Sequence, residues 1–156
     1  MRFINLKEYH TPLSQKNTDN VVLELVSDET IANSNFYSTI FQKKITNFRS
    51  RIYVLKENFE PIQLVKSIIP NDMIEHCDQL AVEKDIEAEI DKVFLADNIS
   101  EKIMLTWASA QEMKLLSKTS DFCQILVRSL KIKNSQKEII RYEEECFMPE
   151  HFILRK

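Results

Sequence analysis

The chain has 156 residues and a mass of 18.4 kDa, and it contains no glycine. At an average usage of about 7%, a chain of this length would carry roughly 11 glycines. The phosphate-binding loop, the dinucleotide-binding turn and the nucleophile elbow all need glycine, because the backbone there turns tightly or approaches a phosphate closely. The composition therefore argues against nucleotide-dependent enzymes, and the length favours one domain.

Charge and cysteine spacing narrow the class of protein further. The formal net charge is −3, so any nucleic-acid contact would need a local basic patch. No apolar run reaches the roughly 20 residues of a membrane-spanning helix, and we expect no membrane partner. Cys77, Cys123 and Cys146 form no CxxC pair, so we predict reduced thiols, no metal site and no cofactor.

The first half of the chain alternates between strand and helix patterns. Residues 1–20 predict a short strand at most, followed by an arm, and Val21–Val26 is an apolar run typical of a strand. Apolar positions recur at helical spacing over 35–48, and Arg51–Leu55 is rich in β-branched and aromatic residues. A second helix is predicted from Pro61 to Pro70. This order is typical of an α/β layer with a mainly parallel sheet.

The second half predicts mostly helices. Residues 71–97 carry one helical stripe between acidic flanks, and Lys102–Trp107 is a third strand pattern. Ser109, with Glu112 three positions later, resembles a capping box that opens a further helix. A late helical pattern covers residues 122–130, and the tail of residues 131–156 is expected to be helical. We therefore predict an α/β domain of three layers, with a small, mainly parallel sheet, crossover helices and a helical C-terminal part.

No cluster of side chains has the spacing of a catalytic site. The carboxylates between Asp78 and Asp91 alternate with apolar positions, as a solvated helix face does, and we interpret the triplet at 143–145 as exposed charge. The histidines lie in no recognisable nucleophile context. The sequence therefore predicts a protein that is not an enzyme.

Two groups of basic residues could contact phosphates without reading a base sequence. One runs from the first predicted helix into the next strand, and the other follows a late helical pattern. Ordinary solvated lysines are the alternative interpretation. The candidate DNA-contacting residues are Lys43, Lys44, Arg49, Arg51, Lys131 and Lys133.

Two blocks of the chain resemble the non-catalytic partner subunits of XPF-type heterodimers. The block VVLELVSDETIANSNFYSTIFQKKITNFRSRIYVLKENFEPIQLVKSI is similar to that domain in its order of strand, helix, strand and helix. The block KIMLTWASAQEMKLLSKTSDF resembles that subunit's strand ending in Trp-Ser, with Trp107 at the tryptophan position and Ser109 and Glu112 one residue late. The family's Glu-Arg-Lys metal motif and its Gly-Asp pair are missing, so the resemblance implies a nuclease-dead member.

The resemblance also implies an organisation and a function. It divides the chain into an N-terminal strand or arm (1–20), an XPF-like α/β domain (21–130) with a helical insertion (71–99), and a C-terminal helical tail (131–156). It implies an obligate heterodimer with an XPF-like subunit, of the kind found in meiosis, that binds branched DNA and promotes crossovers and synapsis. Such a complex would act in the nucleus on chromosomes and would have no small-molecule substrate.

More apolar surface than one small core can absorb also indicates a partner. The candidate interface residues are Trp107, Phe122, Ile125, Leu126 and Leu130. The alternative hypothesis is a cytoplasmic interaction adaptor, or an immunity or regulatory subunit, that binds no nucleic acid. The pI near 5.7 favours this alternative slightly.

Overall fold

Strands form most of the fold. A computed structural model describes residues 2–5, 20–116, 124–148 and 152–155, with side chains for 20–116 and 124–148. In chain order the described elements are β1 (Arg2–Asn5), β2 (Val21–Ala32), α1 (Asn35–Phe41), β3 (Asn47–Glu57), β4 (Glu60–Pro70), α2 (Asn71–Glu75), α3 (Gln79–Lys84), α4 (Ile86–Val93), β5 (Ala96–Trp107), α5 (Ala110–Leu115), β6 (Gln124–Asn134), β7 (Ile139–Phe147) and β8 (Phe152–Arg155).

Six of these strands form one antiparallel sheet. Their order is β2-β3-β4-β7-β6-β5, and each neighbouring pair runs antiparallel. β1 and β8 pair in parallel as a separate two-stranded sheet. The prediction of an XPF-like α/β domain with a small, mainly parallel sheet and crossover helices is therefore wrong. Antiparallel neighbours such as β3 and β4 need only a tight turn between them, whereas parallel neighbours need a crossover connection.

The predicted helix from Pro61 to Pro70 is instead strand β4, near the middle of the sheet. Both faces of β4 are covered, so its apolar residues form a nearly continuous run. Leu64 and Ile68 point to one face and Val65 and Ile69 to the other, and none of the four is more than 1% exposed. The helix prediction failed because a short apolar run fits a buried strand and a buried helix equally well.

The helices predicted late in the chain are strands as well. The part of the predicted 122–130 helix that the structure describes, from Gln124 onward, lies in β6, and the tail expected to be helical contributes the end of β6, then β7 and β8. Every residue of β7 except Glu144 is buried, because β4 and β6 flank it and helices cover its faces. The prediction of a helical C-terminal part is therefore wrong for the described residues.

The single helix predicted over 71–97 is divided into α2, α3 and α4, and β5 begins at Ala96. Asp78 and Asp85 mark the divisions as N-cap residues. The Asp78 carboxylate accepts a hydrogen bond from the Leu80 N–H at 2.9 Å, and that of Asp85 from the Ala88 N–H at 3.1 Å. Aspartate is among the most favourable N-caps, so these acidic residues start helices and do not form one continuous solvated face.

Tight turns are made without glycine. The described residues with positive φ are Asn33, Gln42, Asn58, Phe59, Leu95 and Lys137. Asn58 and Phe59 are the two central residues of the β3–β4 hairpin, with φ of 50° and 67°. A two-residue hairpin with positive φ at both positions usually selects Asn-Gly, so this chain places a phenylalanine where glycine would be favoured.

Helices cover both faces of the large sheet. We call the face that carries Leu64 and Ile68 the cavity face, and the opposite face, which carries Val65 and Ile69, the network face. α2, α3 and α4 pack on the network face around Ile86 and other residues of one apolar cluster. α1 and α5 pack on the cavity face in two separate clusters. None of the helices in the described residues is long and apolar enough to cross a membrane.

Candidate functional site

A cavity lies on the cavity face between α1 and α5. Its volume is about 690 Å³, which is within the range of about 300–1,000 Å³ for small-molecule sites. Phe36 and Ile40 of α1, Glu112 of α5 and Trp107 at the end of β5 contribute to its walls. The two apolar clusters on this face leave the centre of the sheet between them, and polar side chains occupy that centre.

The sheet provides the floor of the cavity. Strand register places four of its polar residues side by side across four strands, in the order Lys66, Glu144, Ser129 and Lys102. Positions two residues apart along a strand share a face, which adds Tyr142 and Lys131 to the floor. Since neighbouring strands lie about 4.8 Å apart, the row from Lys66 to Lys102 spans about 14 Å.

Lys66 and Glu112 form an ion pair that joins the floor to the wall. Lys66 Nζ lies 3.3 Å from Glu112 Oε2, and the Cys146 thiol donates to the same oxygen at 3.2 Å. A capping box fixes Glu112, whose carboxylate accepts from the Ser109 N–H at 2.8 Å while Ser109 Oγ accepts from the Glu112 N–H at 3.1 Å. This confirms the capping box predicted from the sequence.

Both members of this pair stay charged although burial disfavours the charged form of each. Burial alone would raise the pKa of Glu112, but hydrogen bonds from Ser109 and the charge of Lys66 lower it overall. Burial alone would lower the pKa of Lys66, but the Glu112 carboxylate raises it overall. Burial and the Glu112 carboxylate raise the pKa of the Cys146 thiol. Floor and wall are therefore joined at this point by an ion pair that lies beside a neutral thiol at neutral pH.

Other floor residues have groups available for a ligand. Tyr142 Oη donates to Glu144 Oε1 at 2.8 Å, and burial raises the pKa of Tyr142. Glu144 makes no ion pair with a cation among the described residues. Lys131, which is half-buried, and Lys102, which is exposed, have no hydrogen-bond or ion-pair partner in the described part of the chain. The floor thus presents two cations and one anion to the cavity.

The network face carries buried ion pairs. The Arg128 guanidinium lies 2.5 Å from Glu101 and 3.5 Å from Glu145. Burial, followed by the neighbouring charge of Glu143, raises the pKa of Glu145 to about 8. Glu145 Oε1 has no hydrogen-bond partner among the described residues. The fold therefore holds this carboxyl at a position that disfavours its charged form.

A second arginine ties α4 to the sheet on the same face. The Arg141 guanidinium contacts Asp91 of α4 at 2.6 and 2.8 Å and also contacts Glu143 on its own strand. Burial raises the pKa of Glu143. The sequence-based interpretation of residues 143–145 as exposed charge is wrong, because Glu143 and Glu145 are fully buried and Glu144 lines the cavity.

α4 also carries a carboxylate that the sequence pattern assigned to a solvated face. Glu87 is only 3% exposed and accepts hydrogen bonds at 3.0 Å from Tyr53 Oη. Arg51 lies 3.6 Å from Glu87. Within residues 20–116 and 124–148, no three His, Cys, Asp or Glu side chains come together as a metal site. These acids serve the contact between α4 and the sheet.

The six candidate DNA-contacting residues lie on different elements. Lys43 and Lys44 are exposed after α1, and Lys133 is half-buried on β6 beyond the cavity-lining Lys131. Arg49 contacts Asp28 through two hydrogen bonds, one of 2.7 Å, and Arg51 lies 3.6 Å from the same carboxylate. Because carboxylates offset the charge of both arginines, less of it remains for phosphates. Their role in DNA contact stays a prediction.

The candidate interface residues divide between core and surface. Ile125 and Leu130 are fully buried in clusters of this chain, and Leu126 is half-buried. Trp107 is 62% exposed beside the cavity. Phe122 lies outside the described residues. Their role in a partner interface stays a prediction, and the structure gives Ile125 and Leu130 a function in this chain's own packing.

The sequence interpretation did not single out Lys66, Glu144 or Tyr142, which form much of the cavity floor. A sequence signal existed for Lys66, which is a charged residue inside an apolar run, two positions from Leu64 and Ile68 on the same face. That signal depends on recognising the run as a strand, and the run was assigned to a helix. Glu144 and Tyr142 lie beside other charged residues and gave no such signal.

Comparison with known proteins identifies the fold. No protein-family model matches the sequence, and no curated protein matches it. Among solved structures, the C-terminal domain of Yurk from Bacillus subtilis is similar with a TM-score of 0.76, 8% identity and coverage of 99% of this chain and 97% of that one. The effector domain of PhnF from Mycobacterium smegmatis is similar with a TM-score of 0.71, 10% identity and coverage of 86% and 85%.

A third similar structure is the ligand-binding domain of a GntR-family transcriptional regulator from Bordetella bronchiseptica. Its TM-score is 0.72 at 9% identity, and the match covers 92% of each chain. At these identities the likeness concerns the fold alone. It shows that the chain has the fold of C-terminal domains of GntR-family regulators and does not have an XPF nuclease fold.

These findings correct the conclusions that the XPF resemblance implied. The nuclease-dead XPF-type subunit, its XPF-like partner, its binding of branched DNA and its role in meiotic crossover and synapsis are wrong. The nuclear, chromosomal location is wrong for the same reason. The adaptor or immunity alternative receives no support either. The quoted blocks resembled that family in an order of elements, and the second helix of the first block is strand β4 in this chain.

Proposed function

We propose that this chain is a small-molecule-binding domain of a transcriptional regulator, and that its ligand occupies the cavity between α1 and α5. The cavity carries the proposal, because it combines a volume of about 690 Å³ with apolar walls and a few convergent polar groups. Similar folds described as an effector domain and a ligand-binding domain of such regulators support it. This replaces the sequence-based expectation of a protein partner and no small-molecule substrate.

The proposed role is binding without chemical conversion. Lys66, Glu112 and Cys146 satisfy one another in the wall, and the raised pKa of Cys146 keeps its thiol protonated and a poor nucleophile. Glu144, Lys102 and Lys131 are suited to hydrogen bonds and ion pairs with a bound molecule. The fold that the chain shares belongs to domains of regulators, which is consistent with a sensor.

A ligand screen tests the proposal. Trp107 is the single tryptophan of the chain and borders the cavity, so its fluorescence reports on occupancy. A compound at about 100 times its dissociation constant should also stabilise the folded chain by about 2.7 kcal/mol. We expect a metabolite panel screened by fluorescence and thermal unfolding to contain compounds that produce both changes.

A matched pair of variants locates the binding. Ser129→Phe places a ring on the cavity floor, whereas Ser135→Phe makes the same change in the exposed turn between β6 and β7. We expect Ser129→Phe to abolish binding and Ser135→Phe to leave it unchanged, with circular dichroism showing that both fold. Binding that survives Ser129→Phe, or a panel without any binder, would overturn the proposal.

A further inference from the structure

The cavity floor is unevenly charged, and this restricts the chemistry of its ligand. Of the three lysines that line it, Lys66 is already paired with Glu112. Lys102 and Lys131 have no partner among the described residues. A third lining carboxylate, Glu101, contacts Arg128 of the network face. The two lysines without a partner therefore lie on β5 and β6, and Glu144 on β7 is the lining carboxylate without a cation partner among the described residues.

Register brings these two lysines together. Lys102 pairs with Ser129, and Lys131 lies two residues further along β6 on the same face. They are therefore diagonal neighbours, at the spacing of about 7–8 Å at which long side chains can still reach one another. Two ammonium groups at this spacing can contact the same carboxylate or phosphate, and holding them side by side without an anion costs repulsion.

Glu144 offers a hydrogen-bond acceptor on the floor, away from the two lysines. It lies two strands from Lys102 in the same row, which is about 10 Å between backbones. Tyr142 occupies one carboxylate oxygen of Glu144 as a donor. The remaining acceptor positions suit hydroxyl or amino groups of a bound molecule. Phe36 and Ile40 supply apolar surface above the floor.

We propose that the ligand is a small anion whose carboxylate or phosphate lies between Lys102 and Lys131 and whose hydroxyl or amino groups face Glu144. The inference rests on the proposed ligand-binding function of the cavity. It adds the class of ligand, which excludes purely apolar and cationic molecules. The half-buried Lys131 holds the anion inside, and the exposed Lys102 lies at the entrance.

The test uses pairs of small molecules that differ only in charge. Gluconate and glucose 6-phosphate are each compared with glucose, and other carboxylates and phosphate monoesters of similar size with their neutral amides or alcohols. Binding to the full chain is followed by Trp107 fluorescence and calorimetry. We expect the binders to be the charged members of the pairs, and the two arms show whether a carboxylate or a phosphate is preferred.

Charge-neutralising variants test the residues. Lys102→Gln with Lys131→Gln should weaken the binding of charged compounds at least tenfold and leave the fold intact. Lys84→Gln, at an exposed site on α3 behind the network face, should change neither. Glu144→Gln should weaken binding of compounds that carry hydroxyl or amino donors more than binding of those without them.

The outcomes separate this inference from the proposed function. If neutral or cationic compounds bind and Ser129→Phe blocks them, the cavity is a ligand site and the anionic class is wrong. Anionic binders whose affinity is unchanged in the double lysine variant also overturn it. If no compound binds in the cavity, the proposed function itself fails, and the ligand class fails with it.

Discussion

Replacing Glu145 by glutamine should change how the stability of the chain depends on pH. Glu145 is fully buried on β7, beside Arg128 and close to Glu143 and Glu101. Burial and the neighbouring negative charges raise its pKa from 4.5 to about 8. The glutamine side chain has almost the same shape as the protonated glutamic acid and carries no charge at any pH.

The direction of the change in stability with pH follows from the pH range in which the folded and the unfolded chain bind the Glu145 proton. Between pH 4.5 and pH 8 the folded chain keeps the Glu145 proton, whereas the unfolded chain loses it. The contribution of this group to folding is therefore largest below pH 4.5 and is lost as the pH rises toward 8. For a pKa of about 8 in the folded state, the loss between pH 5 and pH 8 is on the order of 3 kcal/mol.

The assay is urea denaturation of the two proteins at pH 5, 6.5 and 8. We expect the free energy of unfolding of Glu145→Gln to rise relative to wild type by about 3 kcal/mol between pH 5 and pH 8. The difference between the two proteins isolates Glu145 from the other titrating groups. Glu138→Gln, in an exposed turn, should show no such change. A pH dependence identical to that of wild type would refute the reasoning.

Three other substitutions test further parts of the fold through the free energy of unfolding in urea at pH 7. Arg141→Met should destabilise the chain by about 3–5 kcal/mol, because it leaves the buried Glu143 and the partly buried Asp91 without their cation. Arg49→Met breaks a more exposed pair and should cost less than about 1 kcal/mol. Equal losses in the two variants would contradict this. Phe59→Gly should stabilise the folded chain by about 1 kcal/mol, because glycine adopts the positive φ of the hairpin without strain, whereas Phe59→Ala should give no such gain. An equal gain from alanine would mean that the loss of the exposed ring, and not the relief of the backbone, stabilises the chain. Ser109→Ala should lower the free energy of unfolding by about 1 kcal/mol, because it removes the side chain that caps the N-terminus of α5. An unchanged midpoint of urea unfolding would show that the capping box does not stabilise the chain.

The success of the sequence interpretation depended on position in the sheet. Three runs were predicted as strands, and all three lie at or next to an edge of the sheet: Val21–Val26 in the edge strand β2, Arg51–Leu55 in its neighbour β3 and Lys102–Trp107 in the edge strand β5. Along β5, half-buried and exposed positions alternate because helices cover only part of the sheet there. In β4 and β7, which lie at the centre, most residues on both faces are buried. The alternation of apolar and polar residues is therefore lost, and a helical pattern fits the sequence as well.

Most of the candidate site could not be predicted from the sequence. The capping box of Ser109 and Glu112 is local, and its residue types at a spacing of three located it correctly. The cavity floor combines residues from β4, β5, β6 and β7, which are far apart along the chain. Lys66 and Glu144 become neighbours only through strand pairing, which no local pattern specifies.

The sequence by itself determined the local features: the edge strands, the capping box and turns made without glycine, since these depend on neighbouring residues and on backbone preferences. The tertiary structure decided which apolar runs are strands, which acids are buried and where the cavity lies. The physical reason is burial. Glu143, Glu144 and Glu145 are the same residue type at consecutive positions, yet Glu143 and Glu145 are buried against arginines on the network face and Glu144 faces the cavity. Only the packing of helices on the two faces of the sheet makes their environments differ.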